Sequence, residues 1–474
     1  WENGSHVYRI PAMVVANDGS IIAAVDKRYA NHTDIGVPAG HVIDIVVRRS
    51  TDGGKTWGDP VVIAKGQGTT NSDYAGFGDP SLIKGNDGTI YCFFGAGNLG
   101  YFKGLNKICM SKSTDNGVTW DSSESTLPTE LVTSGKVTNH ASSYGSNTCY
   151  GLYDYFVTSG RGLCTSEGYL MGLLPAQAYT DADKTAYTSN AQDYIFYSTD
   201  GGENWHISEN AIFVGGDEAK VIQANDGSLI ASVRQSGNRG FNTATYTKND
   251  DGTLTFTMGT QYNNSQIQTG AANNQDILYY SRANAIGSGT VGTSTGEPDI
   301  LLHSMTTGNH ANLNLYMSID GGQNWTQVFQ VQSKGARYVT MDKLANGDLA
   351  LLFEDQSLNA TGGSTDYNHY PINFLTITKE QILAMAEPLV EAAEDADVEH
   401  GTVKVVYGST SYYSTSGNVM TTNAASGMAG LTVTKSDGSF NQFSDWNSHY
   451  NLAYVPATAN TASTLTLAAP AGYK

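Results

Sequence analysis

Basic residues are scarce in this chain: 26 Lys and Arg stand against 45 Asp and Glu in 474 residues, a formal net charge of −19. A nucleic-acid binder carries a basic face and a basic balance, so the composition argues against nucleic acid as a partner. The same negative field repels an anionic ligand, so an acidic substrate would need arginines that converge locally. No run of about 20 apolar residues occurs, which leaves no transmembrane segment. Cysteine is limited to Cys92, Cys109, Cys149 and Cys164. None forms a CxxC pair, so neither a zinc site nor any other metal is expected. The four thiols are left open as two disulfides or as free core cysteines. The first residues, WENGSHVYRIP, contain no charged or apolar leader. The chain therefore reads as a fragment whose signal peptide lies outside it.

Glycine (53) and tyrosine (28) are abundant, which suits many short strands joined by tight turns. Four segments repeat one pattern: STDGGKTW (Ser50 to Trp57), STDNGVTW (Ser113 to Trp120), STDGGENW (Ser198 to Trp205) and SIDGGQNW (Ser318 to Trp325). Each follows an apolar or β-branched run. The pattern fits a hairpin turn in which Asp caps amides, Gly takes a positive φ and Trp packs onto the sheet. A second turn alternates with it: NDGSIIAA (17–24), NDGTIYCF (86–93), NDGSLIAS (225–232) and NGDLALLF (346–353). Alternation of this kind predicts four-stranded propeller blades. Long insertions at 121–190 and 240–300 would decorate one face.

The second set of turns shares a further regularity. Glu218 and Arg234 lie eight residues either side of Asp226, and Tyr338 and Glu354 eight either side of Asn346. Arg9 and Arg28 flank the turn at Asp18–Gly19, and Asp79 precedes Asp87. At roughly 3.3 Å per residue, these side chains sit some 25 Å from their turn tips. On blades arranged about one axis, those ends converge on a central pocket. Any one of them alone would read as a solvated strand end.

Residues 377–397 form the one convincing helix, with Thr378 and Gln381 at capping-box spacing, Ile377 placed to staple onto Ile382, and Pro388 as an expected kink. The expected organisation is a catalytic propeller over 1–397, ending in this helix. Residues 398–474 are expected to form a small β module, or part of one, with VKVVYG and LTVTK as strands.

These motifs resemble the bacterial exo-sialidases. Tyr8-Arg9-Ile10-Pro11 matches that family's (Phe/Tyr)-Arg-Ile-Pro motif, and the Ser-x-Asp-x-Gly-x-Thr-Trp turns match its Asp boxes. The resemblance covers about residues 1 to 380. It implies an all-β fold: a six-bladed β-propeller with loop insertions, followed here by the short β-rich segment. It implies Tyr338 as nucleophile, Glu218 as its base and Asp34 as acid/base. It also implies that Arg9 and Arg234 bind the substrate carboxylate, that Glu354 orients Arg9, and that Arg28 and Asp79 face the sugar's 4-hydroxyl. A phenol suits this chemistry because a carboxylate nucleophile would be repelled by the carboxylate on the anomeric carbon; such sugars are an exception to the two-carboxylate rule. The implied substrates are sialylated glycans of glycoproteins or glycolipids. No cofactor is implied, and the expectation is a secreted or cell-surface monomer.

The pattern breaks at the family's third arginine, where this chain has His310 in LLHSMTTGNHANLNLYMSIDGG. Strand alternation would turn Arg337 away from the pocket if Tyr338 faces it, and Arg282 belongs to no motif. Either His310 faces the carboxylate as a pH-dependent donor, or the third cation comes from elsewhere. The alternatives to hydrolysis of sialosides are a sialoglycan-binding propeller with weak turnover, and the same chemistry on a related acidic nonulosonate sugar.

Overall fold

The computed structural model describes residues 6–29, 31–104, 107–235, 237–269, 274–281, 300–307, 310, 312–356 and 371–397, together with four short strands beyond them. Arg282 and most of 398–474 lie outside the described residues.

Two compact units divide the chain, Trp1–Ala386 and Glu387–Lys474. The first is the expected propeller: six sheets follow one another along the chain as blades, antiparallel apart from one parallel edge pairing in each of blades 2 and 3. Blade 1 pairs Val7–Val15, Ile21–Arg28, Ile43–Ser50 and Val61–Ala64. Blade 2 runs from Gly76–Lys84 to Thr129–Glu130. The centre of blade 3 is Leu170–Ala178, Ala191–Ser198 and Trp205–Gly216; blade 4 starts with Ala219–Gln223 and Leu229–Val233. Blade 5 spans Ile277–Ser281 to Thr326–Gln332, and among the described residues blade 6 pairs Ala336–Lys343, Leu349–Asp355 and Ile372–Ile377. Strand Val7–Val15 packs against the first strands of both blade 2 and blade 6, so the ring closes. Apolar clusters fill the spaces between neighbouring blades, as between Phe93 of blade 2 and Phe196 and Trp205 of blade 3.

The four repeated turns link third to fourth strands in blades 1, 2, 3 and 5, and each satisfies its own backbone. Ser50 Oγ accepts from Gly54 N (2.9 Å), Asp52 accepts from Thr56 N (2.9 Å), and Trp57 Nε1 donates to Gly54 O (3.2 Å). The turns at Ser198 and Ser318 repeat all three bonds. In the turn at Ser113, Trp120 Nε1 is buried without such a bond. All four cysteines are free, three of them buried.

Thr378 and Gln381 form the capping box at helix Lys379–Asp397, each bonding the other's backbone amide. The helix continues through Pro388. The second unit contains two antiparallel pairs, Lys404–Tyr407 with Thr410–Tyr413 and Thr432–Lys435 with Leu465–Ala468.

A buried polar chain staples blade 4 to blade 5. Arg239 Nε donates to Ser232 Oγ (2.9 Å), which lies 2.7 Å from His303 Nε2, while His303 Nδ1 lies 2.7 Å from Ser304 O. A carbonyl only accepts, so Nδ1 carries the proton and Nε2 accepts from Ser232. Burial, reinforced by Arg239, lowers His303 to about 3. The unfolded histidine titrates near 6.5, so the unfolded chain binds a proton that the folded one refuses. This contribution is complete above about pH 6.5 and is lost as pH falls toward 3. His303→Gln is expected to lose about 1–3 kcal/mol at pH 7 and to flatten the acid side of the stability profile in urea unfolding. Profiles that run parallel for both proteins would refute the assignment.

Candidate active site

At the end of the ring away from the repeated turns, residues from blades 1, 2, 4 and 6 meet. Regular pairing in blade 4 sets Ala219 opposite Val233, and Arg234 N donates to Glu218 O (2.8 Å). Glu218 and Arg234 therefore stand side by side. Tyr338 Oη, from blade 6, donates to Glu218 Oε2 at 2.8 Å, and Arg234 Nη1 reaches the same oxygen at 2.5 Å and Tyr338 Oη at 3.3 Å. Burial raises the Glu218 carboxyl; Arg234 opposes this and Asp217 adds to it, for a net upward shift. Burial, then Glu218, holds the Tyr338 phenol well above its usual value. The phenol is thus neutral at rest, with a buried carboxylate poised to take its proton.

Arg9 is clamped from behind. Its Nε donates to Glu354 Oε1 at 2.6 Å, and the same oxygen accepts from Ile10 N at 2.8 Å. Glu354 Oε2 accepts from Tyr338 N at 3.4 Å. The Arg9 guanidinium lies 5.7 Å from the Tyr338 ring centre. Arg28 is spent on protein partners: Asp26 Oδ2 (3.1 and 2.6 Å), Asp34 Oδ1 (2.8 Å) and His32 O. Asp34, on the loop after blade 1's second strand, keeps 55% of its side chain exposed. Desolvation pushes its carboxyl up, but Arg28 and then Arg9 outweigh it, and the net shift is downward. Asp79 is buried. Desolvation, then Asp26, raises it well above the usual carboxylate range.

Sequence reasoning missed the residues behind these. Asp26 accepts from Arg28 and from Asp79 N (3.0 Å), and its i, i+2 spacing from Arg28 on one strand was the available signal. Asp217 caps Glu218 N (2.9 Å) and pairs with Arg234 Nε (3.6 Å). Below the pocket, buried Lys220 donates to Ser159 O and Asn274 Oδ1. Burial lowers Lys220 to about 8, and its charge helps pull Glu218 down.

Three inner strands break register at this level: between Arg9 and Ala12, Gly78 and Ser81, and Ala336 and Val339. Ile10 (φ 56°) and Asp79 (φ 61°) occupy the left-handed region, as does His310 (φ 59°). Bulges re-aim side chains and are common beside active sites. Arg9 stands opposite Asp26. The register break across Arg337–Tyr338 interrupts the strict alternation by which Arg337 would be turned away. Burial, then Arg337 and Arg234, lowers His310 to about 4. Held this low, His310 is uncharged near neutrality. Arg337 also acts on His32, whose carbonyl accepts from Arg9 Nη1 (3.3 Å). Its charge belongs to the same neighbourhood. Among the described residues, no cluster of three or more His, Cys, Asp or Glu side chains could hold a metal ion.

Residues 41–367 match the family model described as a BNR repeat-like domain. The chain is 28% identical over 361 residues to a sialidase of Micromonospora viridifaciens, covering 73% of this chain and 50% of that protein. It is 26% identical over 383 residues to a sialidase of Bacteroides fragilis, covering 76% and 62%. The chain thus spans half to about three-fifths of the length of these relatives. The fold matches that of Trypanosoma rangeli sialidase in complex with sialic acid, with a TM-score of 0.58 at 18% identity, over 86% of this chain and 60% of that one.

Removing Glu354 would leave Arg9 buried and uncompensated. Glu354→Ala is expected to lose about 3–5 kcal/mol in denaturant unfolding, and Glu354→Gln clearly less. Equal losses would show that packing, not charge, is what Glu354 supplies.

Proposed function

Because the chain belongs to the family of BNR repeat-like domains and is similar to bacterial sialidases, we propose that it is a retaining exo-sialidase releasing terminal α-linked sialic acid. The observation that carries this reading is the buried Tyr338–Glu218 bond with Arg234 beside it. Arg9 and Arg234 take the substrate carboxylate, aided by the charge of Arg337 and by hydrogen bonding from His310. Arg28 and Asp79 lie toward the 4-hydroxyl. As Tyr338 Oη bonds to the anomeric carbon, its proton passes to Glu218. The glycosidic C–O bond breaks, and the departing oxygen takes a proton from Asp34. In the second half, Asp34 removes a proton from water, whose oxygen displaces Tyr338, and Glu218 returns the phenolic proton.

A fluorogenic α-sialoside tests this directly. Tyr338→Phe is expected to lose at least about 10³-fold in kcat while the thermal unfolding curve is unchanged, because a nucleophile is removed. Binding of sialoside without release by the wild type would favour the glycan-binding alternative instead. Arg337→Gln is expected to raise KM more than His310→Ala does; the reverse order would return the third contact to His310.

Asp34 adds a pH signature. Arg9 helps to hold it low in the empty pocket, and a bound carboxylate neutralises that pull. Its affinity for a proton therefore rises when substrate binds. The alkaline limb of kcat, which reports the complex, is expected at higher pH than that of kcat/KM, which reports the free enzyme. Coincident limbs would contradict this coupling.

A further inference from the structure

One buried charge takes no part in the steps above. Lys220 follows Glu218 by two residues on blade 4, so strand alternation sends both side chains to the same face. Lys220 is 2% exposed, and among the described residues no carboxylate forms an ion pair with it. A carbonyl and an amide hold its ammonium instead: Nζ donates to Ser159 O and to Asn274 Oδ1 (2.5 Å). Gly160 leaves room for it. With φ at 95°, an added Cβ there would come within 2.9 Å of Lys220 Cε. An apolar side chain of this length would fill the place without the cost of burying an ion away from a counter-charge. The charge therefore points to a role.

The bonds around Lys220 fix the direction of every donor between it and Glu218. An ammonium has hydrogens only to give, so the end of the Asn274 amide that faces it is the oxygen. The amide nitrogen is thereby turned the other way, where it donates to Ser159 O (2.9 Å), Ser159 Oγ (2.9 Å) and Thr158 Oγ1 (3.2 Å). Ser159 Oγ, receiving from Asn274, has its own single hydrogen left to give. Glu218 Oε1 lies 3.5 Å from it, at the long end of hydrogen bonding. Even at that distance the direction of the hydroxyl matters. Its hydrogen favours the charge of the carboxylate, whereas its lone pairs would oppose it. Thr158 Oγ1 also accepts from Ala219 N (3.2 Å), so the same segment steadies the backbone beside Glu218. The other oxygen of Glu218, Oε2, is the one that Tyr338 and Arg234 share.

We propose that Lys220 is a positioning residue for the base: through Asn274 it turns the Ser159 hydroxyl onto Glu218 Oε1, which keeps Glu218 ionised and Oε2 ready for the Tyr338 proton. What the base then does rests on the sialidase reading; the chain of bonds does not. Other charges act on both ends of this chain. Arg234, Asp217 and Tyr338 act on Glu218. Asp276 and Glu218 favour the charge of Lys220, and Arg239 and Arg161 oppose it.

Lys220→Met removes the charge and both bonds at similar length. In protein labelled with carbon-13 glutamate, the Glu218 carboxyl signal is identified by its loss in Glu218→Gln. It is expected to titrate about one pH unit higher in Lys220→Met than in the wild type. Ser159→Ala, a milder change should Lys220→Met fail to fold, is expected to raise it by about half a unit, and to add nothing to Lys220→Met. An unchanged Glu218 titration in a folded variant overturns the proposal, and fully additive shifts show that Lys220 does not act through Ser159. Kinetics on an aryl α-sialoside supply the second readout. Lys220→Met is expected to lower kcat/KM roughly tenfold at the acid end of the profile, where ionised base is scarce. The two profiles are expected to converge above about pH 8, where Glu218 is ionised in both proteins and Lys220 gives up its own proton. A loss of equal size at every pH would mean that Lys220 only supports the fold. A Glu218 signal that shifts as expected, in a wild type inactive on the sialoside, would overturn the sialidase reading and leave the chain of bonds standing.

Discussion

The geometry of the pocket depends on one buried carboxylate. Glu354 stands on the last blade and accepts from Arg9 and Ile10 of the first, as well as from the amide of Tyr338 beside it. A closed ring of sheets must join its ends by some specific contact, or neighbouring blades can slide. Here the join is an ion pair with neither side chain in free contact with water. Its worth lies less in net stability than in geometry, because ionic groups buried together tolerate few arrangements. The ring closure and the orientation of Arg9 are the same interaction.

Around that join, charge is arranged in two layers. The layer facing the pocket holds Arg9, Arg234, Tyr338 and Asp34. The layer beneath holds groups whose titration is displaced by burial: Asp26 raised to about 6, Lys220 lowered to about 8, and Asp79 shifted well upward. In a chain this acidic overall, buried carboxylates hold the pocket's guanidinium groups in place. The strain of Ile10 and Asp79, of order 1–3 kcal/mol each, is sustained by bonds from their own amides to Glu354 and Asp26.

What the sequence made legible followed from regular pairing. Glu218 and Arg234 lie symmetrically about Asp226, and the hairpin between them has no irregularity, so counting residues places them correctly. Such counting does not carry through Arg9–Ala12 and Ala336–Val339, where the inner strands break register. Two bulges do leave a trace, in Ile10-Pro11 and Asp79-Pro80. Proline cannot donate to a ladder, and its presence in an inner strand signals the break. The bulge at Ala336–Val339 has no such mark. Ser159 was invisible for another reason: its role comes from Lys220 and Asn274, which reach it from other strands and loops. The cysteines, open between two states in sequence, are free thiols.

The self-contained turns carry a consequence for how the propeller can be presented. Each of them makes its Ser and Asp capping bonds within about eight residues and lies at the opposite end of the blades from Tyr338. At Gly201 and Gly321 an added side-chain carbon would meet no neighbour within 4 Å. Those tips are natural attachment points. A support or fused module joined there would hold the propeller with the Tyr338 pocket facing outward.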